Sequence, residues 1–475
     1  LDKLAMLYQT IERAAKWPAN LLEVPVTTLK KGKGDTPLQV RPISLTSHIY
    51  RMWAKIRWVH LQPWHLQWVP KELHGGIANR QTLDSYFAVA LDIEQSSYTN
   101  HPLYGILYDY AKCFDNICWQ IERGVLIDLG MPPAILNTMF AYNQSIQRRF
   151  KLGNSIGPSF PNTNSICQGC PLAIIRINAM ITAWIQVISN HSTTSYCRAS
   201  AFIDDKNLRS TSSEHFTNAV HITKKFDQAI DAVINSDKTT VFTTTRLARQ
   251  KLQNFEFPQS LDDKLLGASL PFTKRRSREL ADKRAVSYMA VAPRISICPL
   301  NIAAKETLLA TAGAPKYCYA LEMGPCSVHI ERKLRSAICR ALWSKGSHKS
   351  NDILLTICHK GHLIDPTQLK WYAPFQTACR QLAKHPNIRY QWEQIWHDSI
   401  DARAQYKNGK SNMVGPLSMF HVACLHLDWK WVEPFTIVAK ISEHLQISVP
   451  ILTIPHQYFL HLVRYAIARV LWNRA

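Results

Sequence analysis

Ala201-Phe202-Ile203-Asp204-Asp205-Lys206 sets two carboxylates side by side between two segments that read as strands. Tyr196 to Ile203 reads as one strand and Lys206 to Ser210 starts the next, so the acids stand at the tip of a hairpin. Asp favours turns, which offers a bland explanation for the pair. A third acid, Asp109, closes an apolar run earlier in the chain. Neighbouring carboxylates repel one another, and burying one is costly unless a cation pairs with it. The economical explanation is divalent metal, because hard Mg²⁺ takes carboxylate and phosphate oxygens. Two such ions clamp the attacking and leaving oxygens of a phosphoryl transfer.

The 475 residues suffice for two or three domains, and 46% hydrophobic content is that of a globular protein. The formal net charge is +22. Residues 271–475 hold 28 Lys and Arg against 13 Asp and Glu, whereas residues 1–270 hold 28 against 21. Such an excess ordinarily meets a polyanion, although a nucleic-acid-binding module without catalysis would show it too. The chain opens with Leu1 and shows no signal peptide, which fits a fragment of a longer polyprotein. Arg176 interrupts the longest apolar stretch, Ile174 to Ile188, so no membrane partner is expected. The 12 Cys are expected to be reduced thiols. Cys167-Gln168-Gly169-Cys170 has no second pair at zinc-ligand spacing, and Cys358-His359-Lys360-Gly361-His362 does not supply one.

Periodicity predicts helices over 3–16, 47–68, 82–95, much of 119–145, 173–190 and 213–234. Strands are predicted over Leu22–Leu29, Leu103–Tyr108 and Thr240–Thr244, with a short hairpin around Leu265-Leu266-Gly267. After residue 271 the pattern is almost wholly helical. This change is the predicted boundary of an α/β (α+β) first part.

In chain order, the informative segments are a basic turn followed by Arg41, the Asp109 strand, Gln168-Gly169, the Asp204-Asp205 hairpin, Lys238, and Leu266-Gly267. This order resembles the reverse transcriptases. Tyr108-Asp109-Tyr110-Ala111-Lys112-Cys113-Phe114-Asp115 looks like their first metal-binding motif, with an aromatic five residues after the Asp. Gln168-Gly169-Cys170-Pro171-Leu172 is similar to the second motif of non-LTR (LINE-type) and group II intron enzymes. Phe202-Ile203-Asp204-Asp205 stands for the third, Asn235 to Thr239 for the fourth, and Leu265-Leu266-Gly267 for the primer grip. Arg41-Pro42-Ile43-Ser44-Leu45 matches a fingers motif of the LINE-type group. The resemblance covers roughly residues 15–270. It departs from the family at Phe202, where many relatives have Tyr or Ala, and in His74-Gly75-Gly76-Ile77-Ala78-Asn79-Arg80-Gln81, a loose match to a glycine-arginine loop.

The resemblance implies a right-hand polymerase, with fingers and palm in 1–270, a helical thumb in 271–400 and a helical C-terminal region in 401–475. It also implies RNA-directed DNA synthesis by a LINE-type retroelement, and an intracellular, nuclear location in a eukaryotic host. Its partners would be an RNA template, a DNA primer, their RNA–DNA hybrid and dNTPs. Two Mg²⁺ ions, or Mn²⁺, would sit on Asp109 and Asp204, with Asp205 adding charge or anchoring the hairpin. Phe114 would lie under the incoming sugar and clash with a 2′-hydroxyl; an ordinary core Phe is the alternative. Gln168 and Gly169 would line the nucleotide pocket, Gly permitting close backbone approach. Arg41 has the planar fork suited to phosphates. Lys31, with Lys30 and Lys33, would meet the triphosphate or simply be solvated. Lys238 would donate a proton to pyrophosphate or cap its strand. Leu266 and Gly267 would grip the primer, and Lys274, Arg275, Arg276 and Arg278 would contact duplex phosphates or face solvent. No ribonuclease H carboxylate set marks residues 271–475, and no clear endonuclease is evident, although one could lie outside this fragment. Two rivals remain at this level: a viral RNA-dependent RNA polymerase, and an inactive retroelement-derived nucleic-acid-binding protein.

Overall fold

The computed structural model describes residues 2–30, 40–191, 193, 196–275, 277–343, 350–358, 360–406 and 414–474. The chain divides into two compact units, each built from separated segments. The first comprises Leu1–Ser85, Tyr104–Val241 and Glu256–Pro258; the second comprises Tyr86–Leu103, Phe242–Phe255 and Gln259–Ala475.

A four-stranded sheet runs in the order Thr240–Thr243, Tyr104–Leu107, Asp205–Ser210, Cys197–Phe202. All but the last two residues of Thr240–Thr243 lie in the first unit. All four residues of Tyr104–Leu107 are buried, as an apolar strand covered on both faces must be. Helices Ala173–Asn190 and Ser213–Ala229 pack on this sheet and on each other. The second begins where Ser212 accepts the His215 amide at 3.4 Å. It stops short of the predicted residue 234. The Ala232 amide returns to the Asp227 carbonyl at 2.9 Å and Asp231 adopts φ +58°, the closing pattern of a left-handed C-terminal cap. That reversal frees Val233–Ile234 to pair with Tyr110–Ala111.

A second sheet in the same unit places Glu23–Lys30 antiparallel to Val40–Ser44 and parallel to Gln147–Leu152, which in turn pairs antiparallel with Ser155–Pro161. Val24 and Val26 alternate inward along the first of these strands. Helix His48–Trp68 starts where Ser47 accepts the Tyr50 amide at 3.2 Å, and it ends at Val69, whose extended backbone suits the following Pro70. Tyr50 stacks on Tyr142 with ring centroids 3.6 Å apart, tying this helix to Pro133–Ser145. Trp119–Asp128 joins Ala173–Asn190 through the fully buried pair Glu122–Arg176, with Nη2 and Oε2 2.8 Å apart.

The second unit takes most of helix Thr82–Thr99, which runs four residues beyond its predicted end. Glu94, fully buried on that helix, accepts the Leu417 and Ser418 amides at 2.9 and 2.7 Å and so caps helix Pro416–His426. Asp262–Leu265 and Ala268–Pro271 form the predicted hairpin. Positive φ at both Leu266 (+52°) and Gly267 (+84°) gives its two-residue turn the twist that matches paired strands. Beyond it, Ala285, Leu309, Leu334, Ile338, Leu355 and Ile364 share a helical core. The expectation of an almost wholly helical C-terminal part is corrected at Lys430–Glu433, Thr436–Lys440 and Gln446–Pro450, an antiparallel meander. There Pro434 breaks the chain direction, and the period of two that buries Ile437 and Ala439 outweighs the helical pattern on either side. No helix among the described residues is long and apolar enough to cross a membrane.

Candidate active site

Register brings the acids together. Leu107 pairs with Asn207 and the Tyr108 amide donates to the Lys206 carbonyl at 3.0 Å, so continuing the ladder sets Asp109 opposite Asp205. Phe202 pairs with Asp205, leaving Ile203 and Asp204 as a two-residue turn. All three carboxylates are half-buried. Alternation along the strand then sends Lys206 to the opposite face from Asp205. Lys206 is buried, 3.0 Å from Asp227 Oδ1, and lies over the Tyr110 ring. Tyr110 donates to Asp227 Oδ2 at 2.7 Å. Burial pushes the Asp227 carboxyl up, and Lys206 pulls against that. The hairpin is thereby anchored from behind on helix Ser213–Ala229.

Ile203 carries φ +59°, whereas Asp204 does not lie in the left-handed region. Positive φ at the first central residue alone is a type II′ pattern, normally met by Gly. For a β-branched residue it is strained, by about 1–3 kcal/mol, and it persists only where its surroundings hold it. Asp109 is held just as firmly. Its amide donates to Thr239 Oγ1 at 3.1 Å. Its carbonyl accepts the Asn235 amide at 2.8 Å. Its Oδ2 accepts Asn235 Nδ2 at 3.0 Å. The Asn235 and Thr239 side chains were not assigned roles by sequence; only their place in the motif order pointed at them.

Phe114 and Gln168 occupy adjoining segments. The Ile166 amide donates to the Phe114 carbonyl at 2.7 Å, and Gln168 Nε2 reaches Asp115 Oδ2 at 3.5 Å. Burial raises the Asp115 carboxyl, opposed first by Arg148 and then by Lys112 and Gln168. Arg148, absent from the sequence assignments, thus stands near this carboxylate. The Ser44 amide donates to the Gln168 carbonyl at 2.9 Å. Gly169 has φ +109°, and a Cβ there would lie 2.9 Å from the Ser44 carbonyl oxygen, so the close approach that requires Gly is to this strand end. Arg41 is exposed on the same strand, opposite Leu29. Lys31 and Lys33 lie outside the described residues. Lys238 is exposed on the turn that hooks Asp109, its amide donating to the Asn235 carbonyl at 3.1 Å.

In the second unit, the Leu266 carbonyl accepts from Tyr319 Oη at 2.8 Å and the Gly267 carbonyl from Arg284 Nη2 at 2.5 Å. Lys274, Arg275 and Arg278 are exposed, with Lys274 Nζ 3.2 Å from Asn100 Oδ1. They precede helix Glu279–Met289 rather than lying on a helix, and Arg276 is outside the described residues.

Cys167 and Cys170 are buried and engaged separately. Cys170 Sγ is 3.1 Å from the Tyr50 hydroxyl, and Asn162 Nδ2 is 3.9 Å from Cys167 Sγ. Burial raises both thiols, which disfavours metal-binding thiolate. Among the described residues, no three His, Cys, Asp or Glu side chains form a ready-made metal cage. The Asp109, Asp204 and Asp205 set instead suits Mg²⁺, which is commonly held by one or two carboxylates with substrate phosphates completing its shell.

A family model described as reverse transcriptase (RNA-dependent DNA polymerase) matches residues 29–289. The chain belongs to the reverse transcriptase family, and its mixed α/β fold is that of a right-hand polymerase. No curated protein sequence matches it. Among solved structures, it is similar to a telomerase from Candida albicans in complex with a fragment of telomeric RNA, at 9% identity and TM-score 0.42, covering 85% of this chain and 66% of that one. It is also similar to apo telomerase from Candida tropicalis, at 10% identity and TM-score 0.45, covering 89% and 66%. The chain spans just under two thirds of the length of each.

Proposed function

We propose that the chain is the polymerase core of a LINE-type retroelement and extends a DNA primer on an RNA template from dNTPs. The observation that carries this reading is the meeting of Asp109 with the Asp204–Asp205 turn at the ends of hydrogen-bonded strands. Asp109 and Asp204 would hold two magnesium ions, with manganese as a substitute, and Asp205 would add charge. When bound, the metal supplies charge neutralisation at the transferred phosphoryl group and lowers the pKa of the primer hydroxyl.

The protein's own contribution is placement. Phe114 would exclude a 2′-hydroxyl, while Gln168 and Gly169 would line the base and sugar pocket. Arg41 and Lys31 would bind the triphosphate, and Lys238 would protonate departing pyrophosphate. Leu266 and Gly267 would grip the primer, with Lys274, Arg275, Arg276 and Arg278 along the RNA–DNA hybrid. In this reading residues 1–270 are fingers and palm, 271–400 thumb, and 401–475 a C-terminal region. The LINE-type assignment is supported by Arg41-Pro42-Ile43-Ser44-Leu45 and Gln168-Gly169-Cys170-Pro171-Leu172, and a nuclear location in a eukaryotic host belongs with it. Primer extension on an RNA template tests the whole. Asp109→Asn and Asp204→Asn should each abolish extension with template binding nearly intact. Retention of more than a few per cent of activity in either variant would overturn the two-metal assignment.

A further inference from the structure

The strained turn at Ile203 has a second set of neighbours that the catalytic roles above do not use. Glu72 to His74 runs alongside the end of strand Cys197–Phe202, with Leu73 bridged in parallel to Ala201. The Ala201 amide donates to the Glu72 carbonyl at 3.1 Å, and the His74 amide donates to the Ala201 carbonyl at 2.9 Å. Gly75 then passes directly over the turn. A Cβ on Gly75 would lie 2.5 Å from the Ile203 amide nitrogen and would also collide with the Ile203 side chain. Gly76, at φ +67°, is pressed against Ile174 at the start of helix Ala173–Asn190, leaving no room for a Cβ. The segment is itself fixed. Buried Asn178, on that same helix, donates from Nδ2 to the Gly75 carbonyl at 3.0 Å. Arg80 Nη1 donates to the carbonyls of Pro70 and Leu73, each at 2.5 Å.

We infer that Glu72–Gly76 is a positioning strap, fastened by Asn178 and Arg80, that holds the Ile203–Asp204 turn in its strained conformation. The inference deepens the polymerase reading and rests on it for its catalytic meaning. A turn that costs free energy to maintain would relax without support, and the carboxylates it carries would then drift from Asp109. The strap supplies that support through backbone pairing and through contact that only glycine permits. Because Asn178 lies on the helix that follows Gln168, the same fastening links the turn to the segment expected to line the nucleotide pocket.

Two variants and a control test this. Gly75→Ala pushes on the Ile203 backbone, and Asn178→Asp removes the amide donor while keeping side-chain shape. Gly124→Ala, at a helical position with open space around its Cβ, is the control. Hydrogen–deuterium exchange over residues 197–210 should rise at least severalfold in both variants and stay at the wild-type level in Gly124→Ala. Single-turnover extension should slow tenfold or more in both variants, with template binding unchanged. If Gly75→Ala does not fold, Asn178→Asp decides alone. Unchanged exchange at 197–210 in the folded variants overturns the strap. If the wild type extends no primer, the polymerase reading fails, while the exchange measurement still decides whether the turn is strapped.

Discussion

Asp109 is held by its amide, its carbonyl and its carboxylate at once, all through Asn235 and Thr239. With its backbone held at both amide and carbonyl and its carboxylate held by Asn235, the side chain is positioned opposite Asp205 by the fold itself. A hydrogen bond to a charged acceptor contributes about 1.5–3 kcal/mol. Asn235→Ala should therefore slow single-nucleotide incorporation by roughly ten- to a hundredfold, on the scale of about 1.36 kcal/mol per factor of ten. Incorporation rates at saturating dNTP, with the melting curve as a folding check, would reveal this; a wild-type rate would mean that Asn235 serves only the loop. The role proposed for Phe114 is of a different kind, exclusion. Its carbonyl is tied to Ile166, which would give the ring a fixed base if it bars a 2′-hydroxyl as proposed. Phe114→Val should admit ribonucleotides better by roughly one to three powers of ten, with a smaller loss in deoxynucleotide use. Parallel incorporation assays with both sugars read this directly. Equal use of both by wild type would favour an RNA polymerase, whereas an unmoved preference in the mutant would place the gate elsewhere.

Among the elements, those legible in the sequence were those whose side chains repeat with one period. Ala173–Asn190 matched its predicted span, and the hairpins around Asp204 and Leu266 formed where turn residues stood between apolar alternations. The C-terminal meander was hidden because its strands are short and lie between strongly helical stretches. Candidate site residues such as Asp109, Gln168 and Asp204 stand out by residue type and motif order, and register brings Asp109 to the Asp204–Asp205 turn. Partners such as Asn235, Lys206 and Gly75 were not, since their roles depend on register and close approach. His65 belongs with these. It sits buried on helix His48–Trp68, 3.3 Å from Asn178, and burial, with the nearby Arg80 charge, lowers its pKa to about 4. The folded state therefore keeps it neutral while the unfolded chain takes up a proton below its ordinary value near 6.5. Stability contributed by this site is full above about pH 6.5 and is lost as pH falls toward 4. Asp115 and Asp227, whose carboxyls are raised, act in the opposite sense on acidification, so the site must be isolated by difference. His65→Gln should lessen the drop in denaturant midpoint between pH 7 and pH 5; an identical drop would show that His65 titrates as it does in the unfolded chain.

For the whole molecule, the surplus of positive charge predicts tight, salt-sensitive binding to nucleic acid. Neutralising Lys274, Arg275, Arg276 and Arg278 together should flatten the dependence of log K on log salt by up to ~0.9 per lost phosphate contact. Fluorescence titrations with a primer–template at several salt concentrations give the slope, and an unchanged slope would leave these residues facing solvent. The second unit draws on Tyr86–Leu103 and Phe242–Phe255 as well as the long final segment. Glu94 reaches across more than three hundred residues of sequence to satisfy the first amides of helix Pro416–His426. During synthesis, that carboxylate leaves the ribosome long before the amides it must cap. A ribosome that stalls in the intervening stretch would therefore expose a half-built unit, and helpers that shield nascent apolar surface would have their longest task there.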